Sequence, residues 1–210
     1  MSYIALGDSY AAGLGSVERL GLCDDDSNPA SATCTIAASG KDTVSYAYVL
    51  TEKHSLMNNF QYLACSGADT SAVIADQVNT SLTVQVGGDD FHGFFSIILG
   101  CVVFANDTMC QQALTDVTNE MDQILRNVDA TLQAINDKTG SSVRKLLLGY
   151  VDFFGTDYDR DCTVTGRHIS AESRRAVNGL TLKANWDLSR TANMNGFDWV
   201  EMNPSFDTHR

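Results

Sequence analysis

The chain predicts an α/β fold, a three-layer α/β/α sandwich around a mostly parallel sheet of about five strands. Three observations lead there. Short apolar runs alternate with helical patterns along the chain, and the connections are long enough for crossovers. Leu146-Leu147-Leu148 is an unbroken apolar run, as expected of a strand buried on both faces. Between them stands one long amphipathic segment, Gln111 to Lys138, in which Leu114, Val117, Met121, Ile124, Leu125, Val128, Leu132 and Ile135 recur at three- and four-residue steps. That stripe reads as core.

Tyr3-Ile4-Ala5-Leu6 is the first strand, and residues 10–20 follow as a short helix or helical turn. Residues 21–45, rich in Asp, Ser, Thr, Gly and Ala, read as a long disulfide-pinned loop that walls a substrate cleft. Ser45 to Lys53 is a helix, Phe60 to Ala64 the second strand and Asp69 to Gln77 the helix after it. Leu82 to Val86 is the third strand. Gly140 closes the long helix, and Val143 to Tyr150 is the next strand. Ser170 caps a helix running to Asn195-Gly196, and Phe197 to Met202 is the last strand. No repeat, low-complexity tract or linker divides residues 1–210, so a single domain is expected.

The chemistry starts where the first strand ends. Gly7-Asp8-Ser9-Tyr10-Ala11-Ala12-Gly13 is a small-residue turn carrying one serine and leading into a helix. A serine there projects its hydroxyl into the crevice beyond the strand ends, and its backbone N–H points at an anion forming beside it. Three further pieces follow in order: Ala64-Cys65-Ser66-Gly67-Ala68, Val86-Gly87-Gly88-Asp89-Asp90-Phe91, and Phe206-Asp207-Thr208-His209.

This ordered set resembles the SGNH, or GDSL-type, serine hydrolases, which carry a Ser, a Gly, an Asn and a His on four separate blocks. The resemblance covers nearly the whole chain. Leu148-Gly149-Tyr150-Val151-Asp152-Phe153-Phe154 and the cysteines are similar to the secreted fungal and actinomycete esterase branch. It implies an SGNH-hydrolase, flavodoxin-like sheet, with Ser9 as nucleophile and His209 as its base. The oxyanion donors would be the N–H groups of Ser9 and Gly67 and the side chain at Asp89. Asp8, Tyr10, Gly88, Asp90 and His92 are read as lining the substrate site, with Asp8 also stabilising its turn.

The sequence departs from the family at two of these points. The usual Asp-x-x-His would place a carboxylate where Phe206 stands. The orienter of His209 is then either the Phe206 backbone carbonyl, as in dyad-type actinomycete members, or Asp207. The family's Asn is replaced by Asp89. An ionised carboxylate beside a developing alkoxide repels it, so donation from Asp89 requires a neutral acid, favoured by burial or by the neighbouring Asp90. His54 and His168 read as solvated surface. Neither a metal nor a cofactor is expected: adjacent Asp89 and Asp90 point to opposite faces in extended backbone, and no ligand set accompanies them.

Six cysteines suit an oxidising compartment, and the sequons Asn79-Thr80-Ser81 and Asn106-Asp107-Thr108 agree with a secreted glycoprotein. Cys101 with Cys110 closes a small local loop. The resemblance supports that pair and favours Cys34 with Cys65, leaving Cys23 with Cys162. The first strand begins almost at Met1, so a mature or recombinant form lacking its leader is expected.

A net charge of −12 argues against nucleic acid and anionic membranes as partners. No run reaches the roughly 20 apolar residues of a spanning helix, and a monomer is expected. The function read from all this is a secreted serine esterase acting through an acyl-enzyme on short acyl or acetylated-sugar esters. Small ester, lipid or acylated-carbohydrate molecules are its partners. Long-chain lipids are disfavoured by the lack of an extended apolar lid segment. The alternatives are a catalytically impaired binder, suggested by Asp89, Phe206 and a chain ending one residue after His209, and an acyltransferase.

Overall fold

The computed structural model describes residues 3–8, 11, 60–62, 64, 68–77, 83–90, 93–139, 143–155, 162–164 and 167–203. Its centre is a five-stranded sheet built from β1 (Tyr3–Gly7), β2 (Phe60–Tyr62), β3 (Thr83–Gln85), β4 (Leu146–Leu148) and, last in the chain, β7 (Asp198–Val200). The order is β2-β1-β3-β4-β7, and every pair is parallel. The registers Ala5 to Thr83, Val84 to Leu147 and Leu147 to Trp199 run through its middle. All strands therefore end at one edge, where Asp8 follows β1 and Gly87–Asp90 follow β3.

From β2 onward the described connections are helical, the usual crossover between parallel strands. Between β2 and β3 lies α1 (Thr70–Ala72), which widens into i-to-i+5 turns over Val73–Gln77. Asp69 caps it by accepting the Ala72 N–H at 2.9 Å. Between β3 and β4 come α2 (Gly93–Ile97), widened likewise over Ile98–Val103, and α3 (Asp107–Lys138). Between β4 and β7 are a small antiparallel pair, β5 (Cys162–Val164) with β6 (Arg167–Ile169), and then α4 (Ala171–Met194).

The amphipathic stripe of α3 packs as its spacing predicts. Leu114, Met121, Ile124, Val128, Leu132 and Ile135 are buried, and Val117 and Leu125 pack against them half-buried. The helix begins one turn earlier than the stripe, because Asn106 accepts the Met109 N–H at 3.0 Å and caps it there. The expected cap of α4 is present, with Ser170 accepting the Ser173 N–H at 3.1 Å.

Three features of the structure were not anticipated from the sequence. The segment Gly93–Val103 is helical, yet its near-continuous apolar composition shows no amphipathic period to announce it. The β5–β6 pair also carries no turn signal of the common hairpin types. In β3 the polar residues Thr83 and Gln85 are as buried as Val84, because a parallel interior strand is covered on both faces. Cys101 is bonded to Cys110, tying the widened end of α2 to the first turn of α3. The expected helices at 10–20 and 45–53, the 21–45 loop and Cys23, Cys34 and Cys65 lie outside the described residues.

Candidate active site

Gly7 closes β1 at a φ of +137°, a conformation that side chains rarely adopt, and a Cβ there would lie 2.0 Å from the Gln85 carbonyl oxygen. The chain then turns with Asp8, whose N–H donates to that same carbonyl at 2.9 Å. The turn that precedes Ser9 is thus pinned to the end of β3. Gly87, at a φ of +110°, bends the chain out of β3 toward Gly88, Asp89 and Asp90.

Two buried carboxylates organise this edge. Asp8 is 1% exposed and accepts a hydrogen bond from the Tyr150 hydroxyl, 142 residues away. Tyr150 in turn accepts the Gly88 N–H at 3.0 Å. Asp90 is 3% exposed and accepts the Thr70 N–H at 2.8 Å, the Thr70 hydroxyl at 2.9 Å and the Asn127 side-chain amide at 2.9 Å. Asp8 and Asp90, expected as substrate-lining residues, have these carboxylates engaged by the protein itself. Asp89 is half-buried on the turn that follows β3, between Gly88 and Asp90 in the chain.

Tyr150 is held from several sides. The Asn185 amide grips its backbone twice, accepting the Tyr150 N–H at 2.9 Å and donating to the Tyr150 carbonyl at 2.7 Å. Gln85 donates to the Gly149 carbonyl at 2.5 Å. Burial, before the negative charge of Asp8 and the hydrogen bond to it, pushes the phenol well above its usual pKa; Asp89 adds to this, while the Gly88 N–H opposes it. The phenol stays protonated and donates.

Farther along the same edge, Asp152 and Asn203 clasp each other. The Asp152 N–H donates to the Asn203 side-chain oxygen at 2.8 Å, and the Asn203 amide returns a bond to the Asp152 carboxylate at 3.1 Å. This fixes the start of the tail that carries His209 to the segment after β4.

Beside Gly87 and Gly88 opens a small apolar recess of about 80 Å3. Tyr150 and Phe153 form one wall, and α3 and α4 form the others through Met121, Leu125, Leu180 and Ala184.

Of the residues expected at the site, the structure places Asp8, Gly88, Asp89 and Asp90 together at the carboxyl ends of β1 and β3. Ser9, Tyr10, Gly67, His92, Phe206, Asp207 and His209 lie outside the described residues. Tyr150, Asn185 and Asn203 were not singled out by sequence reasoning. Tyr150 stands in a quoted motif, but no local signal connects it to Asp8. Among the described residues no cluster of three His, Cys, Asp or Glu side chains could hold a metal ion, and no helix is long and apolar enough to cross a membrane.

A parallel sheet whose loops gather acidic and glycine-rich turns at one edge is the architecture of open-sheet α/β enzymes. No protein-family model matches the chain. It is 27% identical to Lipase 1 of Streptomyces coelicolor over 99% of this chain and 71% of that protein. Its fold matches the crystal structure of an extracellular lipase from Streptomyces rimosus at a TM-score of 0.72, with 23% identity over 100% of this chain and 83% of that one. It also matches phospholipase A1 from Streptomyces albidoflavus at a TM-score of 0.73, with 22% identity and coverage of 100% and 82%. The chain shares the fold of these lipases, in keeping with the SGNH/GDSL-type serine hydrolases that its four blocks resemble.

Proposed function

We propose that this chain is a secreted serine carboxylic-ester hydrolase. In this reading the Ser9 hydroxyl attacks the acyl carbon while His209 takes its proton. The ester C–O bond breaks, the proton passes to the leaving alcohol, and water then releases the acid from the acyl-enzyme. The Phe206 carbonyl or Asp207 holds the His209 ring, and the N–H groups of Ser9 and Gly67 stabilise the oxyanion together with the side chain of Asp89. The observation that carries the proposal is the joining, through Tyr150, of the Asp8 turn beside Ser9 to the Gly88 turn beside Asp89, at the ends of adjacent parallel strands.

The recess refines the substrate. Acetyl and other short acyl esters, including acetylated sugars, are the expectation from the sequence. An apolar pocket bordered by Gly88 and Tyr150 favours a longer acyl chain, for which burying each methylene is worth several-fold in kcat/KM. Secretion is supported by the likeness to an extracellular lipase and by the Cys101–Cys110 disulfide.

The test is hydrolysis of acetyl, butyryl and octanoyl reporter esters by the intact chain and by Ser9→Ala. Turnover that rises from acetyl to octanoyl and vanishes in Ser9→Ala supports the reading. Binding of ester without turnover at any pH favours the impaired binder that Asp89 suggests, and turnover retained in Ser9→Ala contradicts the mechanism.

A further inference from the structure

We infer that Tyr150 is a positioning residue, whose hydroxyl sets the spacing between the nucleophile turn and the oxyanion turn. The inference rests on the hydrolase reading above and adds to it a group that no catalytic block contains. The phenol oxygen joins two main-chain segments just beyond the β1–β3 pairing, whose last bond is the Asp8 N–H to the Gln85 carbonyl at 2.9 Å. Beyond that register the described chain continues to Asp8 after β1 and to Gly88 and Asp89 after β3. One oxygen links them, donating to Asp8 and accepting the Gly88 N–H at 3.0 Å.

The fit is close. A Cβ on Gly88 would lie 3.0 Å from the Tyr150 hydroxyl oxygen and 3.2 Å from the nearest ring carbons, so glycine there lets the phenol approach. The tyrosine is itself placed from outside both turns, by the two-armed Asn185 amide on α4 and by Gln85 pulling on Gly149. Gly149 lies against Trp199 of β7, where a Cβ would come within 2.7 Å of the indole. The strut therefore refers both turns to the rigid sheet and α4. An oxyanion hole works through donors fixed before the reaction, and a displacement of about 1 Å can cost about a hundredfold in rate.

Tyr150→Phe keeps the ring that lines the recess and deletes only the strut. The expected result, in a folded variant, is a kcat for a reporter ester lower by roughly 10- to 100-fold, with KM changed by less than about threefold. A purely structural residue would not produce that split. Thr139→Val serves as the control: it removes a buried hydroxyl bonded to the Ile135 carbonyl at the far end of α3 and should leave kcat intact at comparable destabilisation.

Asp8→Ala should fall as far as Tyr150→Phe, and the double variant no further than the worse single. Should Tyr150→Phe fail to fold, Gly88→Ala displaces the hydroxyl by contact and should show the same loss in kcat. Unchanged kcat in folded Tyr150→Phe or Gly88→Ala overturns the inference, as do single losses that multiply in the double variant. Ser9→Ala in the same assay keeps the two readings apart. If it is silent while Tyr150→Phe is unaffected, only the strut is wrong; if it turns over ester, the hydrolase reading itself fails.

Discussion

The Asp90 carboxylate grips Thr70 twice, accepting its backbone N–H at 2.8 Å and its hydroxyl at 2.9 Å, and so ties the turn after β3 to the first turn of α1. A third bond, from Asn127, fastens both to α3. The Gly67 block immediately precedes α1, so this carboxylate joins the elements bearing two of the proposed oxyanion donors. In a buried setting its removal strands three donors. Asp90→Ala is expected to lower unfolding stability by roughly 3 kcal/mol. Urea unfolding checks this, as a lower midpoint at unchanged slope.

Ala184 is the small residue of α4 that lines the recess, together with Leu125 and Met121 of α3. Ala184→Phe should fill the space an acyl chain occupies. The expected outcome is a loss of roughly tenfold or more in kcat/KM for octanoyl ester with acetyl ester little changed. Parallel rate measurements on the two esters check it.

Tyr150 gives the fold an alkaline limit. Its folded pKa is raised above the ordinary 10.0, so the folded state holds a proton that the unfolded chain releases. The linked stability is intact below about pH 10 and is lost as pH rises from there toward the folded value. Denaturant titrations at stepped alkaline pH should show a steeper decline for the intact chain than for Tyr150→Phe.

In the proposed mechanism Asp89 takes the place of a side-chain amide donor, and a missing oxyanion donor costs about 10² to 10³ in turnover. If activity depends on the neutral acid, it falls as pH rises through the Asp89 pKa, and turnover constant from acid to alkaline pH rejects that dependence. Asp89→Asn restores a permanent donor and should raise kcat near neutral pH. The pH–rate profiles of the two proteins decide the matter.

Much of the scaffold was legible in the sequence because periodicity and caps are local. The α3 stripe, Ser170 as cap, the apolar strand at Leu146–Leu148 and the Cys101–Cys110 pair all follow from spacing within a few residues. The turns bearing Asp8 and Gly88 were legible because each small-residue block directly follows an apolar run and the blocks occur in order along the chain. The strut was not, since Asp8 and Tyr150 are 142 residues apart and meet only when β1, β3 and β4 pair. The Asp152–Asn203 clasp is hidden for the same reason. Helical Gly93–Val103 escaped because a uniformly apolar segment shows no face.

The most direct measurement is intact-mass detection of covalent labelling by a fluorophosphonate, on the native chain, Ser9→Ala and His209→Ala. One adduct on the native protein, none on Ser9→Ala and sharply slowed labelling of His209→Ala is the predicted result. An adduct forming on Ser9→Ala as fast as on the native chain would contradict an activated serine at the β1 turn.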